Sequence, residues 1–479
     1  MDPDMKAIGV RLIRAALAVA LSGAMWFLSN GIHHVWILAW LAPIPVLLVL
    51  LELCPGKAGL TAFLASTLGA LSFVVAYGSF PIMMRISLLT IFTVPFLVVA
   101  SAWRVIARRG RPVMAVLTFP ALVVAAEYLL SLFSPNGTFG SISYSQGDVP
   151  VVLQIASVTG IWGVSFLLAL VPASLAGAWR FRRERKTAAA LLAIGALPIG
   201  LCLIFGAVRL AGPPPAAHVR VGLASSDAEV GRHFSTQAAE ALPVVQANAD
   251  RAAELAKQGA QIIVLPEKFV GITAAYADRA LAILSDAARD NGVMIIAGFN
   301  YLSLEEKRNV AVVFGADGKT VLKYDKQHFV PNLENGYRRG KTVGFIGGLP
   351  VASGIAICKD LDFAPLGRAY ARRGVGLLFV PAWDFVNDGW LHSRMAVLRG
   401  VEGGFAVARS AANGRLTVSD ARGRIVAERI SSESDDVLLT ADVSIGPGGT
   451  FYSRTGDWFA WLCLVAVFVC FAYPRKKSA

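Results

Sequence analysis

Charged residues are scarce in this chain of 479 residues. Only 16% of its residues are Asp, Glu, Lys or Arg, whereas 55% are hydrophobic and the mean hydropathy is +0.58. A water-soluble globular protein is nearer a quarter charged. The deficit excludes a fold that faces water on all sides, so much of the apolar material must contact lipid.

Cysteine and histidine are also few. Four of the five cysteines lie inside apolar spans or directly after one: Cys54, Cys202, Cys463 and Cys470. They show no pairing pattern of a disulfide framework. Cys358 alone lies in a polar segment, where it is either an inert core residue or a reactive thiol. The six histidines, His328 and His392 among them, lack the cysteines or carboxylates of a zinc site, so we expect neither a metal nor a cofactor.

Long apolar runs, by contrast, are abundant. A helix that crosses a hydrocarbon core of about 30 Å needs about 20 apolar residues. Eight runs approach this length: 9–28, 34–53, 59–78, 86–103, 113–133, 161–179, 188–208 and 457–473. No small-residue cleavage site follows the first run, so we interpret it as a retained helix rather than a signal peptide. The sequence therefore predicts a multi-pass helical bundle of about eight helices.

Basic residues concentrate beside these spans, in "RVIARRGR", "WRFRRERK" and "PRKK", and the net charge is +13. With eight spans, these blocks and the basic N-terminus all fall on one side of a membrane. The positive-inside rule makes that side cytoplasmic, with both termini there. This topology accounts for the charge, so we do not expect nucleic-acid binding. The segment from about 209 to 456 is expected on the opposite face.

That segment has the composition of a soluble α/β domain. Short β-branched runs such as "HVRVGLAS" and "VMIIAGFN" alternate with amphipathic helical patterns, while "FGADGKTVLKYDK" and "VSDARGRIVAER" are typical of hairpins. We predict that the chain has four segments, one of which is a layered α/β domain. They are a bundle of about seven helices over 1–208, a Pro-rich linker over 209–218, the α/β domain over 219–445, and a last span with a basic tail over 446–479.

Three chemically active side chains close or follow short apolar runs of this segment. Glu267 follows "QIIVLP", Lys326 ends "TVLKYDK" and Cys358 follows "SGIAI". A carboxylate at a strand end can take a thiol proton, and an ammonium can lower the pKa of a thiol and stabilise an oxyanion. Taken singly, each residue has another explanation: Glu267 as a solvated loop acid, Lys326 as a surface lysine and Cys358 as a small core residue. Together and in this order, they are the parts needed to acylate and deacylate a cysteine.

This order and these contexts resemble the nitrilase (carbon–nitrogen hydrolase) superfamily over about 219–445. The resemblance implies an αββα sandwich with a Glu267–Lys326–Cys358 triad. The segments "SISYSQGDVPVVLQIASVTGIWGVSFLLAL", "YDKQHFVP" and "PAWDFVNDGWLHSRMAVLRGVEGGFAVARSAANG" are similar to the apolipoprotein N-acyltransferases, a membrane family of that superfamily. This second resemblance spans nearly the full chain. It implies an enzyme of the bacterial inner membrane with a periplasmic catalytic domain.

Enzymes of this family move an acyl chain from a phospholipid to the N-terminal amine of a diacylated lipoprotein. By resemblance, Cys358 attacks the ester carbonyl and Glu267 takes its proton. Lys326 and the backbone N–H of Lys359 hold the oxyanion. A lysophospholipid leaves, and the amine then attacks the remaining thioester in a ping-pong sequence. The implied partners are the phospholipid donor, the lipoprotein acceptor and the bilayer, and we expect a monomer.

The resemblance also suggests supporting residues. Glu334 matches a second glutamate that supports the lysine, Trp383 matches a lid aromatic, and His392 lies on the helix that follows. Lys359 and Asp360 stand where the family usually has Tyr–Glu, and the loop "PNLENGYRRGKTVG" is more basic than usual. These departures leave open a different amine acceptor, or a membrane-tethered hydrolase or amidase. A catalytically silent scaffold is the third alternative, and an intact triad argues against it.

Overall fold

The computed structural model describes residues 3–213, 215, 217–303, 305–347, 349 and 351–473. They form two compact units. One contains the residues up to Arg209 and those from Asp457 onward, and the other is Leu210–Gly456. The predicted basic tail at 475–477 lies outside the described residues, as do Pro214 and Ala216 of the predicted linker.

The first unit is helical. Its helices before the second unit are α1 Pro3–Ser29, α2 Trp36–Leu41, α3 Pro43–Leu50, α4 Pro55–Ala76, α5 Ile82–Ala107, α6 Pro112–Phe133, α7 Pro150–Leu153, α8 Ala156–Thr159, α9 Ile161–Arg180 and α10 Arg185–Ala211. Within the described ranges, six of the unit's helices are long and apolar enough to cross a membrane: α1, α4, α5, α6, α9 and α10.

The predicted second span, 34–53, is two short helices rather than one long one. Only Ala42 separates α2 from α3, and Pro43 occupies the first position of α3. Proline has no N–H to continue the preceding helix and clashes with the carbonyl four residues back, but it fits the first turn of a new one. A continuous hydropathy run therefore conceals a helix break.

Small residues let α1 and α4 approach closely. A Cβ added to Gly23 would lie 2.6 Å from Cβ of Leu68, and one added to Gly69 would lie 2.5 Å from Cβ of Trp26. Close backbone approach at small residues replaces the hydrophobic effect as the driving force between helices in lipid. The core of the helical unit is accordingly rich in alanine, with Ala62 and Ala65 fully buried.

The second unit is an α/β sandwich. Its strands are β1 His218–Ser225, β2 Ile262–Val264, β3 Val270–Ile272, β4 Met294–Leu302, β5 Lys307–Phe314, β6 Thr320–Asp325, β7 Gly344–Ile346, β8 Ser353–Ile355, β9 Leu377–Trp383, β10 Ala406–Ala412, β11 Arg415–Ser419, β12 Ile425–Ile430 and β13 Val437–Ser444. Its helices are α11 Ala238–Lys257, α12 Ala277–Asn291, α13 Ala364–Ala371, α14 Gly389–Gly403 and α15 Phe451–Thr455.

Two sheets form the middle layers. One has the order β13-β1-β2-β4-β5-β6, with β3 beside β4, and the other has the order β12-β11-β10-β9-β8-β7. Their facing sides share one buried cluster that includes Ile262 and Ile296 of the first sheet and Phe379 and Ala408 of the second. Helices α11 and α12 cover the first sheet, and α13 and α14 cover the second. The predicted class, a helical membrane bundle joined to an αββα sandwich, is confirmed.

The boundaries differ from the predicted ones by a few residues. Helix α10 continues to Ala211, so a helix occupies the first positions of the predicted linker. At the other end, residues 446–456 fold with the sandwich, because α15 belongs to the second unit. The chain then returns to the helical unit as α16 Trp458–Ala472, an apolar helix of 15 residues that packs on α6.

Candidate active site

The predicted acid and base groups lie together at strand ends of the first sheet. Nζ of Lys326, just after β6, is 2.8 Å from Oε1 of Glu267, which follows β2. The same Nζ is 2.8 Å from Oε2 of Glu334. All three side chains are at most 3% exposed. The structure therefore brings these three predicted site residues into one buried ion-paired cluster.

A glycine in β4 makes room for Glu267. A Cβ on Gly298 would lie 2.4 Å from the carbonyl oxygen of Pro266 and 2.7 Å from Cα of Glu267. Glycine inside a strand often marks such a close approach of another backbone. The N–H of Glu267 also donates to the carbonyl of Ala382 in β9 at 3.2 Å. Glu267 thus follows a strand of the first sheet and is hydrogen-bonded through its backbone to a strand of the second.

Glu334 is surrounded by donors. Its carboxylate accepts hydrogen bonds from Lys326, from Nζ of Lys268 and Nδ2 of Asn309 at 2.8 Å, and from the N–H of Val330 at 2.9 Å. Burial alone would raise the pKa of Glu334, but the two ammonium groups outweigh it and hold the pKa well below its ordinary value. Glu334 therefore stays ionised and fixes the position of Lys326.

Lys326 stays protonated despite its burial. Desolvation would lower the pKa of its ammonium, yet the carboxylates of Glu267 and Glu334 outweigh this effect and raise the pKa well above its ordinary value. A permanent positive charge in a buried position is suited to stabilising an oxyanion.

Cys358 lies at a strained turn after β8. Its φ of 43° falls in the left-handed region that side chains other than glycine rarely adopt. A short 3₁₀ turn begins at this residue, and the thiol donates to the carbonyl of Trp383 at 3.4 Å. The end of β9 therefore holds Cys358 through Trp383 and Glu267 through Ala382. Strain of this kind is frequent at functional positions.

The thiol of Cys358 is protonated at neutral pH. Burial raises its pKa first, and the carboxylate of Glu267 raises it further, while Lys326 and Arg409 oppose the shift without reversing it. The resting site therefore contains a thiol and not a thiolate. A nucleophilic sulfur here requires a base that takes the proton during attack.

Asp360 ties the cysteine turn to the segment after Lys326. Its side chain is fully buried. Oδ1 accepts from the N–H groups of Gln327 and His328 at 3.0 and 2.9 Å, and Oδ2 accepts from the hydroxyl of Tyr324 at 2.8 Å and from the N–H of Ile357 at 3.1 Å. Asp360 is thus a structural clamp between two strand ends of the site.

The remaining predicted residues take other positions. Nζ of Lys359 pairs with Asp362 at 2.9 Å, so the charge expected beside the nucleophile is compensated locally. Nε2 of His392, in α14, pairs with Asp388 at 3.2 Å. Trp383 is the last residue of β9 and pairs in register with Ala412 of β10, so its backbone is held in the sheet. Its assignment as a lid aromatic stays a prediction.

Two residues of the cluster were missed by the sequence analysis. Lys268 directly follows Glu267 and, like Cys358, has a left-handed φ, of 47°. Asn309, in β5, donates from Nδ2 to Glu267 at 2.6 Å as well as to Glu334. The signal for Lys268 was its place in "PEK", whereas nothing near Asn309 in the sequence indicates a role.

A histidine lines the cleft beside the cluster. His233 shares this cleft with Glu267, Lys268 and Trp383, and its ring lies edge-on to that of Trp383, with 4.1 Å between centroids. Its Nδ1 is buried without a hydrogen-bond partner. Burial, and to a lesser extent the charge of Lys268, lower the pKa of His233 to about 4. The imidazole is therefore neutral at physiological pH.

No group of three or more potential metal ligands occurs in the portion of the chain that the structure describes. The site thus consists of a buried carboxylate, ammonium and thiol, with a second carboxylate and a second ammonium around them. These are the groups that acyl transfer through a cysteine thioester requires.

Comparison with known proteins agrees with this geometry. A family model described as carbon-nitrogen hydrolase matches residues 226–447, and one described as the apolipoprotein N-acyltransferase N-terminal domain matches residues 22–174. The apolipoprotein N-acyltransferase of Geobacter metallireducens is 27% identical, over 99% of this chain and 98% of the relative. The chain is thus similar to the apolipoprotein N-acyltransferases over almost its whole length.

Other similarities are more distant. The apolipoprotein N-acyltransferase of Vibrio parahaemolyticus is 23% identical over 97% of this chain and 98% of its own length. A solved amidase from Nesterenkonia sp. AN1 is 19% identical, with a TM-score of 0.42, over 51% of this chain and 99% of the amidase. The family models and the full-length relatives together support an acyltransferase whose α/β unit is a carbon–nitrogen hydrolase domain.

Proposed function

We propose that this enzyme transfers an acyl chain from a membrane phospholipid to the N-terminal amine of a diacylated apolipoprotein, through a thioester on Cys358. The observation that carries the proposal is the buried pair of Glu267 and Lys326 beside a protonated thiol. The full-length relatives, named for lipoprotein N-acylation, support the acceptor class.

Glu267 is the proposed general base. Both of its side-chain bonds, from Lys326 and Asn309, go to Oε1. Among the described residues Oε2 has no such partner, so it is the oxygen that accepts the proton of Cys358.

In the acylation step, Sγ of Cys358 bonds to the ester carbonyl carbon as its proton passes to Glu267. Nζ of Lys326 and the backbone N–H of Lys359 stabilise the negative carbonyl oxygen. The carbon–oxygen ester bond then breaks, and Glu267 returns the proton to the leaving lysophospholipid oxygen. A thioester remains, and Glu267 has the same protonation state as before the step.

In the transfer step, the lipoprotein amine attacks the thioester carbon. Glu267 takes a proton from the nitrogen, the carbon–sulfur bond breaks, and the proton returns to Sγ. An amide leaves, and the thiol is restored. Glu334 is a positioning residue, because it holds Lys326 and does not reach the reacting atoms in this scheme.

The proposed setting is the bacterial inner membrane. The basic loops support a cytoplasmic location of both termini, and the insertion of the α/β unit between α10 and α16 supports a periplasmic location of the catalytic domain. We assign the catalytic domain to about 219–445 within that unit, and the working enzyme to a monomer.

Mass spectrometry of a diacylated lipopeptide, incubated with the purified full-length protein and phospholipid, tests the proposal. One added acyl chain on the N-terminal amine, absent with Cys358→Ala, is the expected result. Release of free fatty acid with an unmodified lipopeptide would instead identify a membrane-tethered hydrolase. Acylation that persists in Cys358→Ala would exclude the thioester.

A further inference from the structure

A cavity of about 950 Å³, its open mouth included, lies among the helices of the helical unit. Its apolar lining includes Leu47, Leu48 and Leu51 of α3 and the residue after it. Its charged lining consists of Arg14, Glu52, Arg111, Arg180 and Arg182. Because Glu52 is bonded to Arg14 at 2.7 Å, three guanidinium charges of the lining have no carboxylate to balance them.

Neighbouring arginines have evident roles in the fold. Nε of Arg104 donates to the carbonyl of Leu50 at the end of α3, at 3.0 Å. Arg109 donates to the carbonyl of Cys470 at the end of α16, at 2.8 Å. Basic side chains commonly satisfy the free carbonyls of helix C-termini in this way. These arginines are therefore accounted for without a ligand.

Arg111 and Arg180 have no such role. Within the part of the chain that the structure describes, neither guanidinium group makes a hydrogen bond or an ion pair. Nε of Arg111 is buried without an acceptor, and its guanidinium lies over the ring of Tyr473, with Cζ 4.5 Å from the centroid. A buried hydrogen-bond donor without an acceptor lowers the stability of the fold. A ligand in the cavity could supply the acceptor that Nε of Arg111 lacks.

The start of α6 adds a further positive element. The helix begins at Pro112, directly after Arg111, and no side chain caps its first turn. Gly110, Arg111 and Pro112 all line the cavity. The first N–H groups of a helix of 22 residues carry a partial positive charge that favours an anion.

We propose that this cavity binds the phosphate of an anionic phospholipid, with an acyl chain against Leu47, Leu48 and Leu51. Guanidinium groups bind phosphate oxygens through paired, charge-assisted hydrogen bonds. A lipid fits better than free phosphate because leucines continue the lining and Trp179, at its edge, is 59% exposed like a residue of an interfacial belt.

This lipid is a ligand and not the acyl donor. Every lining residue belongs to the helical unit, and none belongs to the unit that carries Cys358. The charged loops at α5–α6 and α9–α10 form the same basic end of the bundle that the positive-inside rule places in the cytoplasm. Basic pockets between membrane helices on that side recognise anionic headgroups.

Native mass spectrometry of the full chain in an uncharged detergent tests the site. The probe is an ether-linked phosphatidylglycerol, which has no ester to donate, and its phosphatidylcholine analogue is the zwitterionic comparison. The variant is Arg111→Gln/Arg180→Gln, and Arg180→Gln alone serves as a variant that removes no contact of the fold. The matched control, Arg183→Gln/Arg185→Gln, removes the same charge from exposed positions outside the lining.

The double variant is expected to weaken phosphatidylglycerol retention roughly 10- to 30-fold, and the single variant about fivefold, because each arginine near a lipid phosphate contributes on the order of 1 kcal/mol. The control should retain the lipid as the parent does. Equal loss in the control, equal retention of phosphatidylcholine, or displacement by millimolar inorganic phosphate would each overturn the proposal. Acyl transfer to the lipopeptide is a separate readout, so failure of the catalytic proposal is distinguishable.

Discussion

The ammonium of Lys268 lies 2.8 Å from the carboxylate of Glu334. Glu334 therefore binds two ammonium groups at once, because Lys326 contacts its other oxygen. The buried cluster therefore contains two glutamate and two lysine side chains, which balance one another in number.

Replacement of Lys268 tests this charge balance. Lys268→Met should lower kcat/KM by roughly tenfold, about 1.4 kcal/mol of barrier, because Glu334 then draws Lys326 away from Glu267. Lys268→Arg, which keeps the charge, should stay within a few-fold of the parent. Steady-state acyl transfer to the lipopeptide measures both, and parental activity in Lys268→Met would show that Lys268 only packs against Trp383 and Tyr337.

Glu267→Gln should strongly slow acylation of the enzyme while leaving the fold intact. The thiol is protonated, so removal of its base should slow thioester formation by about 10²- to 10⁴-fold. Intact-mass spectrometry of single-turnover reactions detects the acyl-enzyme directly. Glu254→Gln, at an exposed position of α11, should form it at the parental rate. Thioester formation at that same rate in Glu267→Gln would assign the base elsewhere.

Substitutions around Asp360 should act on stability in a graded way. Asp360→Asn places an amide donor against buried donors and should cost about 3 kcal/mol, which corresponds to a fall in Tm of roughly 6–12 °C. Tyr324→Phe removes one bond and should cost about 1 kcal/mol. Thermal unfolding in detergent measures both. A loss no larger in Asp360→Asn than in Tyr324→Phe would contradict the clamp.

The free energy of unfolding should fall as the pH is lowered, because unfolding allows His233 to take up a proton. Its folded pKa of about 4 lies below the ordinary value of 6.5, so the folded state binds fewer protons between these values. Its contribution is complete above pH 6.5 and is lost as the pH falls towards 4. Its cleft neighbours are Lys268, whose charge opposes protonation, and the rings of Phe234 and Trp383.

His233→Phe, which retains an aromatic ring, should reduce the fall in Tm between pH 7 and pH 5 relative to the parent. His218→Phe, at an exposed histidine of β1, should leave that fall unchanged. Parallel pH profiles of His233→Phe and the parent would show that His233 does not titrate in this range.

The sequence predicted the elements of the site better than their contacts. Glu267, Lys326 and Cys358 each follow or close an apolar run, which predicts a position at a strand end. The sequence did not show that Cys358 follows a strand of the second sheet, whereas Glu267 and Lys326 follow strands of the first. The role of Asn309 depends on the pairing of β5 with its neighbours, which no local pattern encodes. The place of Trp383 at the end of β9, in register with Ala412 of β10, likewise depends on strand pairing that no local pattern encodes.

The helical unit shows a similar limit. Hydropathy located the spans, because only apolar residues can face lipid. It did not separate α2 from α3, since the break at Pro43 does not interrupt the apolar run. It also gave no indication that Arg111 and Arg180 share a cavity, because residues from separate loops meet only through helix packing.

The pairing of β1 with β13 has a consequence for biosynthesis. His218 lies opposite Ser444 in this antiparallel ladder, so the first strand of the sandwich has its final partner only after nearly the whole domain has been synthesised. At about 5–20 residues per second, that delay is on the order of 10–45 s. During this interval β1 has an unpaired edge, which is a site for misassociation with other extended chains. Newly made chains should therefore depend on a holding chaperone on the side where the domain emerges, and slowed synthesis of the last strand should increase that dependence.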